Sequence, residues 1–221
     1  MTLDSDLTER LQSYAASCSS GIGDLLQQLE RETHLKTLAP AMLSGSLVGN
    51  LLRLFSQLLQ PKTILEIGTF TGYGTLCLAA GLLPKGQLHS IEPNPEVLAI
   101  ARKYVSLSVY AEQIVLHCGK AEDIIPNLEI PFFDLVYLDG GKRDYARHYD
   151  TIIERVRPGG LILADNVLWS GKVIQPRDKD ARLMHQFNEK ILADDRVENV
   201  LIPVRDGLMV IYRKNPEMNP L

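Results

Sequence analysis

Cysteine is scarce in this chain. Cys18, Cys77 and Cys118 are the only three in 221 residues, too few and too scattered for a disulfide framework or a zinc site, and they suit a reducing cytoplasm. Long apolar runs are missing as well. No stretch approaches the roughly 20 residues that cross a bilayer, and the polar start Met1-Thr2-Leu3-Asp4-Ser5-Asp6 does not read as a signal peptide. Positive charge is not in excess either. Lys and Arg number 23 against 27 Asp and Glu, a net charge of −4, which argues against a nucleic-acid partner. The five histidines, His34, His89, His117, His148 and His185, show no ligand spacing and read as structural or surface residues. Internal repeats and low-complexity segments are absent too. What remains is an ordinary globular composition, 45% hydrophobic, in a length that fits a single domain spanning 1–221.

Within it, residues 1–60 read as an N-terminal helical cap and 61–214 as the core. Leu25, Leu26 and Leu29 recur at helical spacing, as do Leu47, Leu51, Leu54, Phe55 and Leu58. Pro40 and Ser44-Gly45-Ser46 separate the two tracts, and Pro61 ends the second. From there the pattern alternates. Strand-like runs near 63–67, 87–92, 114–118, 134–138 and 160–164 are interleaved with helical tracts near 73–83, 95–107 and 144–156. That alternation predicts an α/β fold, a parallel sheet with helices on both faces. A helix near 179–193 then precedes two β-rich runs, Val197 to Val204 and Leu208 to Tyr212, joined through Arg205-Asp206-Gly207 as an antiparallel hairpin. Asn215 to Leu221 reads as a frayed tail.

The first strand runs into Glu66-Ile67-Gly68-Thr69-Phe70-Thr71-Gly72-Tyr73-Gly74, whose glycines permit a sharp turn and a close ligand approach. The spacing departs from the dinucleotide fingerprint, so a ligand without phosphates fits better. Glu92 ends the second strand, placed for ribose hydroxyls. After the third strand, Gly119-Lys120-Ala121-Glu122-Asp123 offers a turn and acids for an adenine amine. Each residue alone has a plainer reading, a turn glycine or a solvated strand end. The combination at successive strand ends favours a nucleoside-bearing cofactor. Asp123 and Asp134 are assigned structural or solvated roles.

Two further strand ends carry the chemistry. Asp139 closes Phe133-Asp134-Leu135-Val136-Tyr137-Leu138, and Asp165-Asn166 closes Gly160-Leu161-Ile162-Leu163-Ala164. Neighbouring parallel strands would bring two carboxylates and an amide oxygen to one point. Such an oxygen-only set suits Mg²⁺, Mn²⁺ or Ca²⁺ with positions left for substrate. Helix N-capping is the plainer role for either aspartate alone. Lys142 follows Asp139 by three residues. Beside a dication its ammonium form is disfavoured, which fits a general base, and a substrate hydroxyl at the ion would lose its proton more readily. The plain alternative for Lys142 is a surface pair with Asp144. Trp169 either walls the acceptor pocket or simply packs.

These motifs resemble the cation-dependent O-methyltransferases, the family of the caffeoyl-CoA and catechol O-methyltransferases, over roughly residues 35–213. The resemblance rests on Leu65-Glu66-Ile67-Gly68 with Thr71-Gly72-Tyr73, Leu138-Asp139 with Lys142 and Tyr145, Ala164-Asp165-Asn166-Val167-Leu168-Trp169-Ser170-Gly171, and Pro203-Val204-Arg205-Asp206-Gly207. The phrase around Asp165-Asn166 is most similar to the bacterial branch. The resemblance implies a class I methyltransferase Rossmann-like fold, mostly parallel with a C-terminal antiparallel hairpin, and a homodimer. It implies metal ligation by Asp139, Asp165 and Asn166, with Lys142 as the base; Lys142, Asn166 and Trp169 would face the substrate. Cofactor contacts are implied for Met42, Ser44, Glu66, Gly68, Glu92, Ala121, Glu122 and the backbone near Asp139. Gly74 stands where many members have a serine that contacts the cofactor carboxylate, so backbone, water or a neighbour such as Thr75 must serve. Gly140-Gly141 replace bulkier or acidic residues, and Val48 stands where a polar residue often precedes Gly49.

The expected function is therefore methyl transfer from S-adenosylmethionine (SAM), with a divalent cation, to a vicinal-diol aromatic such as a catechol. Two rivals remain open at this point: an NAD(P)-dependent oxidoreductase, which the glycine spacing and hairpin disfavour, and a catalytically silent SAM-binding module.

Overall fold

In the computed structural model, which describes residues 5–215, strand order decides where ligands can bind. Helices α1 (Ser5–Ser17), α2 (Asp24–Lys36) and α3 (Gly45–Leu59) come first. Then follow β1 (Thr63–Ile67), α4 (Tyr73–Ala79), β2 (Gln87–Glu92), α5 (Pro95–Ser106), β3 (Ile114–Cys118), the one-turn α6 (Ala121–Ile124) and β4 (Phe133–Leu138). The remainder is α7 (Tyr145–Ile152), β5 (Val156–Asp165), α8 (Lys179–Leu192), β6 (Val197–Ile202) and β7 (Leu208–Arg213). The seven strands lie in the order β3-β2-β1-β4-β5-β7-β6. β1 through β5 pair in parallel, while β7 runs antiparallel to both β5 and β6. The expected parallel sheet with its closing hairpin is present.

The chain winds outward from β1 to β3 and then returns to lay β4 on the other side of β1. A crevice opens at the carboxyl ends of strands where such a reversal occurs, and ligands bind there. Gly68, just past β1, marks the spot. A Cβ there would sit 2.4 Å from the Asp139 carbonyl oxygen and 2.8 Å from the Gly140 nitrogen, and φ is +105°, so glycine is needed twice over.

Alternation along the strands sorts the core into two layers. Leu65, Val136, Leu138 and Ile162 pack with Tyr145, Tyr149 and Phe187 on one face. Ile64, Leu88, Tyr137 and Leu163 pack with Leu29, Leu52, Leu78 and Tyr104 on the other. Thus α2 and α3 contribute to the core itself, and Val48 is buried among apolar neighbours. Local chemistry sets the helix starts: Asn94 accepts from the Glu96 amide with Pro95 in the first turn, and Asp178 accepts from the Ala181 amide.

Several boundaries differ from expectation: the helix expected over 144–156 ends at Ile152, and β6 ends at Ile202 rather than Val204. The helix expected over 73–83 stops at Ala79, because Gly81 is pressed against the backbone of α3, where a Cβ would meet Ser56 at 2.1 Å. β5 begins at Val156 rather than 160, with an irregularity in its pairing to β4 around Pro158-Gly159-Gly160. Residues 1–4 of the polar start and 216–221 of the expected tail lie outside the described residues. Among the described residues no helix is long and apolar enough to cross a membrane.

His89 of β2 stacks on His117 of β3, with ring centroids 5.3 Å apart and Nδ1 to Nε2 3.0 Å. Burial, with His117 adding, pushes His89 down to about 4, and burial lowers His117 too. In the unfolded chain a histidine takes up its proton near pH 6.5. The pair therefore stabilises the fold above that pH and withdraws the stabilisation as pH falls from about 6.5 to 4, by roughly 2–3 kcal/mol. We predict that His89→Leu flattens the decline of Tm with acidification over that window; parallel wild-type and variant profiles would refute it.

Candidate active site

At the reversal point lies a cavity of about 740 Å³. Gly68, Glu92, Ala121 and Glu122 line one half of it. Glu92 is held by two backbone donors: Phe70 N reaches Oε2 at 2.9 Å and Asn94 N reaches Oε1 at 3.0 Å. Each oxygen keeps a lone pair for a further donor. Glu122 carries an ion pair with Arg147 at 3.3 Å. His148 of α7, assigned above to a structural or surface role, is on this wall as well. It is buried, and neither ring nitrogen has a protein partner.

Glu66 lies deeper, in a small side pocket shared with Ser44, Tyr73 and Gly74. It is fully buried. Its Oε2 accepts from Thr75 and Ser90, while Oε1 has no partner; the Tyr73 hydroxyl beside the same pocket has none either. Burial pushes the Glu66 carboxyl up to about 8 against the pull of those hydroxyls, with Asp139 and Glu92 adding. Thr75 must be corrected. Its side chain is buried, donates to Glu66 and lines neither pocket, so it is a support for Glu66 rather than a cofactor contact. At Gly74 a Cβ would sit 2.8 Å from Glu66 Oε1, so its missing side chain leaves that oxygen uncovered.

A strap formed by the short 3-10 turn Pro40–Met42 and Leu43-Ser44 borders both pockets, placing Met42 and Ser44 on their walls. Arg205, from the β6–β7 turn, donates to the carbonyls of Leu43 (2.7 Å) and Ser44, pinning the strap to the hairpin. Sequence periodicity carries no signal for that contact.

The other half collects Asp139, Lys142, Asp165, Asn166 and Trp169 on the cavity wall. Neither aspartate caps a helix: α7 begins after Asp144, and Asp165 ends β5 with Oδ1 accepting its neighbour's Asn166 N at 2.8 Å. The Tyr137 hydroxyl donates to Asp165 Oδ2 at 2.9 Å and lies 3.4 Å from Asp139 Oδ2, so one phenolic oxygen reaches both carboxylates. Burial pushes the Asp139 carboxyl up to about 6 against Lys142, with Asp165 adding. Lys142 Nζ donates to Asp139 Oδ1 and to the Tyr145 hydroxyl, each at 2.7 Å. The alternative pairing with Asp144 does not form; Asp144 bonds Arg147 at 2.8 Å. Tyr145 in turn lies 2.7 Å from the Leu138 carbonyl and 3.0 Å from that of Asp165, bracing the lysine between both strand ends.

The loop after β5 is wound left-handed: φ is 58° at Asn166, 50° at Trp169 and 53° at Ser170. Such angles cost free energy in non-glycine residues and need tertiary support. The hairpin turn supplies it, through Asp206 Oδ1 to Ser170 N at 2.5 Å and the Asp206 carbonyl to Leu168 N at 2.8 Å. Asp134, expected to be structural, accepts from Lys62 N, Thr63 N and Arg157 and joins β1 to β4 and β5. Among the described residues no three His, Cys, Asp or Glu side chains form a metal cluster; the donor set here is two carboxylates and one amide.

Residues 16–214 match the profile of a family described as O-methyltransferase. Catechol O-methyltransferase of Niastella koreensis is 33% identical over 168 residues, covering 74% of this chain and 76% of its own. Caffeoyl-CoA O-methyltransferase 1 of Eucalyptus globulus is 30% identical over 177 residues, covering 75% and 72%. Among solved structures, the O-methyltransferase TomG from Streptomyces achromogenes, in complex with SAM, superposes with a TM-score of 0.87 at 27% identity, covering 97% of this chain and 100% of that one. SAH-bound Podospora anserina methyltransferase PaMTH1 gives 0.88 at 26% identity, covering 97% and 98%.

Proposed function

This chain belongs to the O-methyltransferase family, and on that premise we propose that it methylates one oxygen of a catechol-type acceptor with the help of a divalent cation. It is a SAM-dependent O-methyltransferase of the caffeoyl-CoA/catechol type. The oxidoreductase alternative falls with that assignment. Finer statements are the proposal. The observation that carries it is the pair of carboxylates, buried Asp165 and half-buried Asp139, close enough to share one phenol beside a lysine.

The residues fit both groups. Desolvation holds the Asp139 carboxyl up, with the neighbouring Asp165 adding, and a dication between the two would offset both effects. Asp139, Asp165 and Asn166 would hold it through oxygen, the donor type of Mg²⁺ and Mn²⁺ and also of Ca²⁺. The unpartnered Glu66 Oε1, beside the small side pocket, offers an acceptor for the ammonium of the cofactor's amino-acid end. The cofactor's ribose fits Glu92, and its base the wall at Ala121 and Glu122.

SAM supplies an electrophilic methyl on a sulfonium, and a cation at the three oxygen donors supplies Lewis acidity that eases loss of the acceptor's proton. Lys142 Nζ takes that proton as the neutral amine, the form that a dication held by Asp139 and Asp165 would favour over the ammonium paired with Asp139. As the acceptor oxygen bonds to the methyl carbon, the sulfur–methyl bond breaks and its electron pair stays on sulfur. Alignment and deprotonation are what the protein contributes. Trp169 walls the acceptor. A homodimer belongs to the same proposal, supported by apolar side chains left exposed on α1 and α3, among them Leu11, Tyr14 and Leu58. So does a cytoplasmic location, supported by the sparse, scattered cysteines.

The test is labelled methyl transfer from SAM to paired catechols and monophenols. A catechol should be preferred by about 10²-fold or more in kcat/KM, because only it presents two adjacent oxygens. Trp169 is the one tryptophan in the chain, so catechol binding should also quench intrinsic emission. Equal turnover of monophenols, with emission unchanged at saturating catechol, would remove the vicinal-diol assignment.

A further inference from the structure

Tyr137 stands in the middle of the site floor, and its hydroxyl has no packing purpose. Strand alternation puts it on the same face of β4 as Asp139, two residues on. Its register partners are Glu66 on β1 and Leu163 on β5. The ring is 1% exposed and packs in the apolar layer with Leu52 and Leu163. A phenylalanine would fill the same space without a buried hydroxyl to satisfy.

What the hydroxyl touches is charged. A phenol keeps its proton at neutral pH and a carboxylate has none to give, so the Tyr137 hydroxyl is the donor in this contact. It has one proton to give and two lone pairs. The shortest contact is to Asp165 Oδ2 at 2.9 Å; Asp139 Oδ2 is 3.4 Å away and Ser44 Oγ 3.3 Å. The oxygen can therefore accept from Ser44 while it donates to Asp165. Asp165 Oδ1 meanwhile accepts from Asn166 N at 2.8 Å. Both oxygens of this carboxylate are thus anchored, one by backbone and one by Tyr137, and neither can swing without losing a bond.

Resting on the cation reading above, we propose that Tyr137 is a positioning residue for the cation site, its hydroxyl holding the Asp165 carboxylate in its ligating orientation beside Asp139. Hydrogen-bond partners of ligating carboxylates tune metal affinity by about 10- to 100-fold. The loss of this hydroxyl should have an effect of that size.

The experiment titrates Mn²⁺ into the protein without acceptor or SAM, reading free Mn²⁺ by electron paramagnetic resonance. Wild type, Tyr137→Phe and Asp165→Ala are compared, with SAH affinity and Tm in chelator measured alongside. Wild type should bind Mn²⁺ and Asp165→Ala should not. Tyr137→Phe should bind about 10- to 100-fold more weakly, with SAH affinity and Tm little changed. Unchanged or tighter Mn²⁺ binding by Tyr137→Phe, with Asp165→Ala inactive in binding, overturns this role and leaves the cation reading standing. A parallel drop in Tm and SAH affinity overturns it too, in favour of a packing role. Absence of Mn²⁺ binding by wild type, or equal binding by Asp165→Ala, overturns the cation site and this inference together.

Discussion

Methyl transfer to a catechol is expected to fall to background, by about 10³-fold or more, when a chelator removes divalent cations, and to return with Mg²⁺ or Mn²⁺. The reason lies in the charges at the strand ends. Asp165 is buried and Asp139 half-buried, and Tyr137 has only one proton to share between them. Without a cation the site sets two carboxylates against one lysine and presents net negative charge to an acceptor that must itself become negative. That opposes the reaction twice, by repulsion and by keeping the acceptor hydroxyl protonated. Asp165→Ala should reproduce the chelator's effect in the presence of excess Mg²⁺. Asn166→Ala, which removes a neutral donor, should cost less. Turnover that ignores the chelator would sink the cation assignment and leave the family membership untouched.

Lys142→Ala is expected to lower kcat by about 10²- to 10⁴-fold, the usual contribution of a positioned general base. SAH affinity should hardly move, since Lys142 Nζ bonds Asp139 Oδ1 and Tyr145 and lines the main cavity rather than the side pocket that holds Glu66. The pH dependence separates this from a general loss of structure. Without the lysine, the rate should track the ionised fraction of the acceptor, climbing about tenfold per pH unit below the acceptor's own pKa. A variant that loses SAH binding instead would make Lys142 a cofactor-binding residue. Should wild type bind labelled SAM and transfer methyl to no catechol, the silent-module reading would replace the enzyme.

Much of this was determined by the sequence. The strands around 63–67, 134–138 and 160–164 are short aliphatic runs because both faces of a parallel strand are covered, and such runs stand out in any chain. Their ends are fixed by the same runs, so Gly68, Asp139 and Asp165 could be placed at neighbouring strand tips without coordinates. Local spacing also sufficed for Lys142, three residues beyond Asp139.

Only the tertiary structure decided what lies under and across those tips. Tyr137 looks like one more apolar strand residue until Ser44, 93 positions away, and Asp165 meet its hydroxyl. Arg205 reaches the strap across 162 positions, and Asp206 steadies the Trp169 loop across 36. His148 enters the cavity wall only through the way α7 packs, and Thr75 turns away from it toward Glu66. Periodicity reports which face of an element is buried, a property of near neighbours in the chain. Which polar atom meets which depends on how separate elements dock, and no local pattern encodes that.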